Sequence, residues 1–213
     1  MPRVARSPAG RFQGMTPSQM RPEVSELRLR PIEGGDAARI HEWASQPEAC
    51  RYQPWGPNTL AETHSFVGTA VKTWSDRESP RRVWVAELPN LGVLGIGELK
   101  RISGSCREIA YAVHMAFWGR GLGSEIGRLL LVAAFSDPST ERVQATCDPR
   151  NVGSAAVLRR IGMTLEGRLR HTHLVRDGWR DSLMHSVLRE ERQPGDRGET
   201  SRVSGKRFED TLG

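Results

Sequence analysis

The sequence predicts an α/β domain: one mixed sheet with helices on both faces. Three observations carry that expectation. Apolar residues switch repeatedly between alternate and three-to-four spacing, giving the order β-αα-βββ-α-β-α-ββ. A glycine-rich, cationic segment, Trp118-Gly119-Arg120-Gly121-Leu122-Gly123, ends where an apolar helix begins. The segment from Asp148 to Ser154 places an Asn and a Ser on the opening turn of another helix, directly after a strand.

In chain order, Leu27 and Leu29, with Pro31, form a short opening strand. Asp36 is the expected N-cap of a helix whose stripe is Ala37, Ile40 and Trp43, and Pro47 stops it. Tyr52-Gln53-Pro54-Trp55-Gly56-Pro57 reads as a stiff loop. Thr59 caps a second helix, with Glu62 completing a capping box and Phe66, Ala70 and Trp74 on one face. Strands follow over residues 82–88, 93–101 and 108–114, the first two joined at Pro89-Asn90-Leu91-Gly92. Leu122, Ile126, Leu129, Leu130 and Ala133 mark the helix after the glycine loop, ended by Asp137-Pro138. Residues 142–147 form a strand. Asn151 opens a helix carrying Val157, Leu158 and Ile161, and Gly162 ends it. Residues 163–170 and 182–189 are the closing strands, turned at Asp177-Gly178.

Composition bounds the whole. The 213 residues suit one domain with tails, and 37% hydrophobic residues can build a core. Residues 1–25 are rich in Arg, Pro, Gly and Ser and read as a disordered basic tail; Met15 and Met20 within it are alternative starts. Residues 193–213 read as a flexible C-terminal tail, leaving 26–192 as the folded unit. The net charge of +6 favours anionic ligands, but it is spread along the chain as on a solvated basic surface, so no specific nucleic acid is expected. Three cysteines without a Cys-x-x-Cys pair predict free thiols in a cytoplasmic protein, with neither a disulfide framework nor a metal site. No apolar run reaches the length of a membrane span.

The chemistry is expected at the two loop-to-helix junctions. Alternating Gly119, Gly121 and Gly123 clear Cβ atoms from a helix mouth whose N–H groups and dipole attract a phosphate, and Arg120 adds a full charge. The spacing is neither that of a Walker loop nor that of a Rossmann fingerprint. Asn151 can serve as an N-cap, and Ser154 offers a hydroxyl at the carboxyl end of a strand, where open sheets bind ligands.

These segments resemble the GNAT superfamily of N-acetyltransferases. The glycine loop looks like its acyl-CoA pyrophosphate loop. Asn151-x-x-Ser154-x-x-Val157-x-x-Arg160-x-Gly162-Met163 is similar to the signature of its ribosomal-protein-acetylase-like branch, although Met163 replaces the usual Phe. Leu27-Arg28-Leu29-Arg30-Pro31 with Asp36-Ala37 resembles that branch's opening, and Gly178-Trp179-Arg180-Asp181-Ser182 its closing hairpin. Trp118 stands where the superfamily often has Gln or Arg. The resemblance covers roughly residues 26–190 in collinear order and implies a mostly antiparallel, splayed sheet flanked by helices.

The resemblance further implies acetyl-CoA as cosubstrate. It gives the backbone of Val113, His114 and Met115 to the pantetheine arm, Arg120, Gly121, Leu122, Gly123 and Ser124 to the pyrophosphate, and Asn151 to the pantetheine. Ser154 is the implied general acid near the sulfur, for direct transfer to an amine without an acyl-enzyme. Cys50, Cys106 and Cys147 are therefore not nucleophiles, and Cys147 reads as core packing.

The base is open among three side chains. Glu98 is in phase with Leu94 and Ile96, Glu108 is out of phase with its strand's apolar residues, and His173 follows the Ser helix, with His171 expected on its face. Tyr111 reads as packing. Gln53 and Trp55 are expected to select the acceptor. That acceptor is a primary amine, either a small molecule such as an amine antibiotic or a protein N-terminus. The alternatives are a non-catalytic acyl-CoA sensor or a basic nucleic-acid-associated module on the same fold, and an enzyme of longer acyl-CoAs. The oligomeric state is open, a homodimer being the assembly considered.

Overall fold

The structure is a computed structural model that describes residues 24–175, 178–192 and 200–205. The chain forms β1 (Arg28–Pro31), α1 (Ala37–Ala44), α2 (Leu60–Ser75), β2 (Arg81–Leu88), β3 (Gly92–Arg101), β4 (Cys106–Val113), α3 (Leu122–Phe135), β5 (Arg142–Cys147), α4 (Val152–Arg160), β6 (Thr164–Val175) and β7 (Gly178–Leu188). This is the element order that hydrophobic periodicity predicts. The seven strands lie in the order β1-β2-β3-β4-β5-β7-β6.

All neighbours are antiparallel except β4 and β5, which run parallel and pair only where Cys106, Arg107 and Glu108 face Arg142, Val143 and Gln144. Beyond those residues the two strands share no ladder, so the sheet opens between them. The chain leaves β4 towards the N-terminus of α3 and leaves β5 towards that of α4. Both helix mouths therefore border the gap, at the carboxyl ends of the parallel pair β4 and β5.

Two cores sandwich the sheet. On one face α1 and α2 bury Ile40, Trp43, Val67 and Ala70 against Val83, Val85 and Val93. On the other, α3 buries Leu122, Ile126, Leu129 and Leu130 against Leu29, Leu94, Leu99 and Ile109. Successive residues of β2 divide between these cores, as strand alternation requires. On β3, a Cβ at Gly95 would stand 2.5 Å from the Ala112 carbonyl oxygen and 3.1 Å from Ile126 Cδ1. Glycine there lets α3 lie flat on the centre of the sheet.

Several expectations need correction. Asp36 makes no side-chain cap to α1. Its carboxylate instead accepts from Arg30 Nη2 and Nη1, at 2.7 and 2.9 Å, and from the Glu33 N–H. The buried stripe of α2 is Thr63, Val67 and Ala70 rather than Phe66, which is only half-buried. The capping box of Thr59 and Glu62 forms as expected. The closing strands are longer than their apolar residues suggested, because cross-strand hydrogen bonding continues past the apolar stretch. Of the predicted turn, Asp177 lies outside the described residues, and Gly178 adopts φ +113°.

The described residues also extend past Arg192. Val203 bridges Leu29, the Ser204 N–H donates to the Leu29 carbonyl at 2.8 Å, and the Trp84 indole donates to the Ser204 carbonyl at 2.9 Å. Arg202 pairs with the buried Glu125 at the start of α3. Part of what composition assigns to a flexible tail at 193–213 is thus packed on the sheet edge; its remainder, and residues 1–23 of the N-terminal tail, lie outside the described residues.

Candidate active site

Gly121 is the N-cap of α3 and adopts φ +85°, a left-handed conformation that a side chain strains. The turn aims the first-turn N–H groups of Leu122, Gly123 and Ser124 outwards, with no carbonyl in their own helix to accept them. These residues line a cleft of about 430 Å³ between α3 and α4, together with Val113, Asn151, Ser154 and Arg160. Arg160 donates to Ser124 Oγ at 3.4 Å and adds a cation to the wall. Arg120, His114 and Met115 are not among the lining residues; the Arg120 guanidinium lies over the Phe117 ring, 5.5 Å from its centroid.

The end of β4 differs from the implied pantetheine site. The Val113 carbonyl already accepts the Trp118 indole N–H at 2.8 Å, and the His114 N–H already donates to Leu94 at 2.7 Å. A ligand arm must share the first and cannot use the second. His114 Nδ1 accepts from the Ala116 N–H. Burial, with the Arg39 charge nearby, pushes the His114 imidazole down to about 4, so it is neutral at physiological pH.

The opening of α4 is built from Asp148. Its carboxylate, buried to 8% exposure, accepts from the Arg150 backbone at 2.8 Å and pairs with the Arg150 and Arg180 guanidiniums. Burial alone would raise this carboxyl, but the hydrogen bonds and charges of Arg150 and Arg180 hold it below the usual carboxylate range. Asn151 Oδ1 then caps the helix by accepting the Ser154 N–H at 3.0 Å. Arg180 also donates to the Arg51 carbonyl, tying β7 to the loop after α1.

Ser154 Oγ lies 3.1 Å from the Tyr111 hydroxyl. Burial pushes the Tyr111 phenol up to about 12, outweighing its hydrogen bond to Ser154. Tyr111 is therefore a protonated hydroxyl in contact with the predicted acid; its ring packs against the α3 core, as expected, while its hydroxyl reaches the cavity beside Ser154. Its place in an apparently regular strand gave no signal, since only the splay of β4 from β5 brings α4 within reach. Burial likewise pushes the Cys147 thiol up, as expected of a packing residue rather than a nucleophile.

A second cavity of about 270 Å³ sits in the gap and gathers Gln53, Trp55, Glu98, Glu108, Tyr111, Cys147, Asn151, Ser154 and His173 in its wall. The predicted catalytic and acceptor residues, Ser154, Glu98, Glu108, His173, Gln53 and Trp55, thus converge from four elements and one loop. Glu98 is the exception in role. Its two oxygens take Arg81 Nε and Nη2, each at 2.7 Å, a bidentate pair that opposes its use as a base. Glu108 is half-buried and accepts from Gln144 Nε2 at 3.0 Å, while His173 is exposed at the rim. His171 does not share the face of His173: it sits at a bulge with φ +53°, stacked on Trp179. Among the described residues no cluster of three His, Cys, Asp or Glu side chains is placed to hold a metal.

A third cavity, about 470 Å³, lies between α1, α2 and strands β3 and β4. It joins the second through Gln53, Trp55, Glu98, Ala110 and Tyr111. Tyr111 is on the wall of all three.

Comparison with known proteins gives the family and the fold. A family model described as an acetyltransferase (GNAT) domain matches residues 26–164. The uncharacterised N-acetyltransferase YnaD of Bacillus subtilis (strain 168) is 26% identical over 171 residues, 79% of this chain and 96% of the relative. Spermidine N(1)-acetyltransferase of Escherichia coli (strain K12) is 20% identical over 179 residues, 82% of this chain and 95% of the relative. Mycobacterium smegmatis RimJ in complex with CoA-disulfide is similar in fold, with a TM-score of 0.68 and 24% identity over 78% of this chain and 83% of that one. No helix among the described residues is long and apolar enough to cross a membrane.

Proposed function

This chain belongs to the GNAT acetyltransferase family, and we propose that it transfers an acetyl group from acetyl-CoA directly to a primary amine through the Ser154–Tyr111 hydroxyl pair. The carrying observation is that pair, 3.1 Å apart where the cleft beside α3 opens into the two inner cavities. The cleft fits the cosubstrate: a helix mouth opened by a left-handed glycine suits a pyrophosphate, and the wall shared by Val113 and Asn151 leads from it towards Ser154, as a pantetheine arm needs.

When bound, acetyl-CoA supplies a thioester carbonyl open to attack. The N–H groups of Leu122, Gly123 and Ser124 hold the phosphates, with Arg160 beside them. The neutral amine attacks the carbonyl carbon, the C–S bond breaks, and the Ser154–Tyr111 pair gives a proton to the departing sulfur. Glu108 or His173, through water, takes the proton that the amine nitrogen loses, so charge balances. The free cysteines, Cys50, Cys106 and Cys147, suit a cytoplasmic setting and take no part.

Isothermal titration with acetyl-CoA and CoA, followed by thiol release against a panel of amines, tests this reading. Micromolar binding with amine-dependent release is expected. Binding without release on any amine would instead favour a sensor, and no binding would remove the proposal.

A further inference from the structure

We infer that the acceptor is a monoamine carrying an apolar, planar arm, such as an arylalkylamine, rather than a polyamine. This rests on the acetyltransferase reading above and concerns the cavity between α1, α2, β3 and β4. The amine head lies at the neck, beside Tyr111 and Glu98, and the arm fills the 470 Å³ space behind it.

The walls of that space are mostly aromatic and aliphatic, with Gln53, Asn58, Arg81, Glu62 and Glu98 among them. Trp43 and Trp55 meet edge to face with centroids 6.2 Å apart, and Phe66 and Ile96 close the other sides. Phe66 in turn carries the Arg81 guanidinium 5.6 Å over its ring. Such surfaces favour a flat apolar group, at about 25 cal/mol for each Å² removed from water.

The acids decide against a polyamine. Only two carboxylates line the cavity, and both are engaged. Glu98 is bidentate to Arg81, and Glu62 accepts from the Thr59 backbone N–H and hydroxyl at the mouth of α2. A second or third ammonium pushed into this space would lose its water and find no unpaired anion. Phe66 packs on the edge of the α1/α2 core and leaves part of its ring on the cavity wall, where an acceptor arm can meet it.

Thiol release from acetyl-CoA is compared for 2-phenylethylamine, tryptamine, spermidine and a peptide with a free α-amine. The direct readout is calorimetric titration of 2-phenylethylamine into the protein alone. The arylalkylamines are expected to exceed spermidine in kcat/KM by about tenfold or more. Phe66→Ala should weaken 2-phenylethylamine binding about tenfold while acetyl-CoA binding is unchanged. Arg81→Met frees the Glu98 carboxylate and should move the preference towards spermidine. Spermidine or the peptide as the better wild-type substrate overturns the inference, as does 2-phenylethylamine binding indifferent to Phe66→Ala. Acetyl-CoA binding with no turnover of, and no affinity for, the arylalkylamines also overturns it. A protein that does not bind acetyl-CoA fails the function itself, a separate result.

Discussion

The cofactor cleft and the acceptor cavity meet at Tyr111 and are built in opposite ways. The cleft is made of backbone: a left-handed glycine, a helix mouth and a strand end. The acceptor cavity is made of side chains from two helices, three strands and a loop, with its acids tied to Arg81 and Thr59. Backbone recognition needs only that a few positions lack a Cβ, so it leaves a compact mark in the chain. Side-chain recognition depends on which residues the fold brings together, so its parts are scattered from Ile40 to Ala112. The first suits a cosubstrate shared by a whole family, the second an acceptor particular to one member.

Substitutions separate the two. The largest effect is expected at the junction: Ser154→Ala combined with Tyr111→Phe should lower kcat by roughly 10²–10⁴-fold, with the acetyl-CoA Kd almost unchanged. Retained turnover in that double variant would show that the hydroxyl pair is not the proton source. Because Tyr111 stays protonated up to about 12, the wild-type rate should show no alkaline fall from this acid below that pH.

Gly121→Val acts on the other side. Nothing lies within 4 Å of the Cβ it would add, so the cost arises from φ +85°, not from a clash. Strain of about 1–2 kcal/mol in a left-handed side-chain residue should weaken acetyl-CoA roughly tenfold, with kcat at saturation kept. An unchanged Kd would remove the phosphate loop from the account.

Smaller effects distinguish the bases. Glu108→Gln and His173→Ala are compared by the pH dependence of kcat/KM, and the variant that loses the acidic limb identifies the group that takes the proton. The smallest effect concerns stability. His114 has a folded-state value depressed to about 4 from 6.5, so the unfolded chain takes up its proton first as pH falls. Stability from this group is present above 6.5 and is lost on the way down to about 4. His114→Asn, which can still cap the turn at Ala116, should show a smaller fall in Tm between those pH values than the wild type.

Particular residues show how far the chain could be read. The element order, the capping box at Thr59 and Glu62, the Asn151 cap and the glycine loop were all legible, because each is a local rule with a short period or a fixed offset. Ser154 was placed by its motif and stands where expected, next to the gap. Asp36 was misjudged because an ion pair with Arg30 competes with capping and wins. Glu98 lines the cavity on the side of Ile96, but a bulge turns Leu94 into the α3 core, so its expected phase with Leu94 fails, and Arg81, seventeen residues earlier, occupies both its oxygens. Phase along its strand rightly packs the Tyr111 ring on the core, but phase does not report that the neighbouring strand has turned away and left the hydroxyl beside Ser154.

The linear chain set the secondary elements, their order and the open, glycine-capped helix mouth of α3, since these depend on contacts within a few residues and on backbone freedom. Only the tertiary structure decided which hydroxyl meets Ser154, which carboxylates are already paired, and where an apolar acceptor arm can lie. Those outcomes depend on the parting of β4 from β5 and on side chains from α1 to β7 arriving at one place, with hydrogen-bond partners that sequence spacing does not encode.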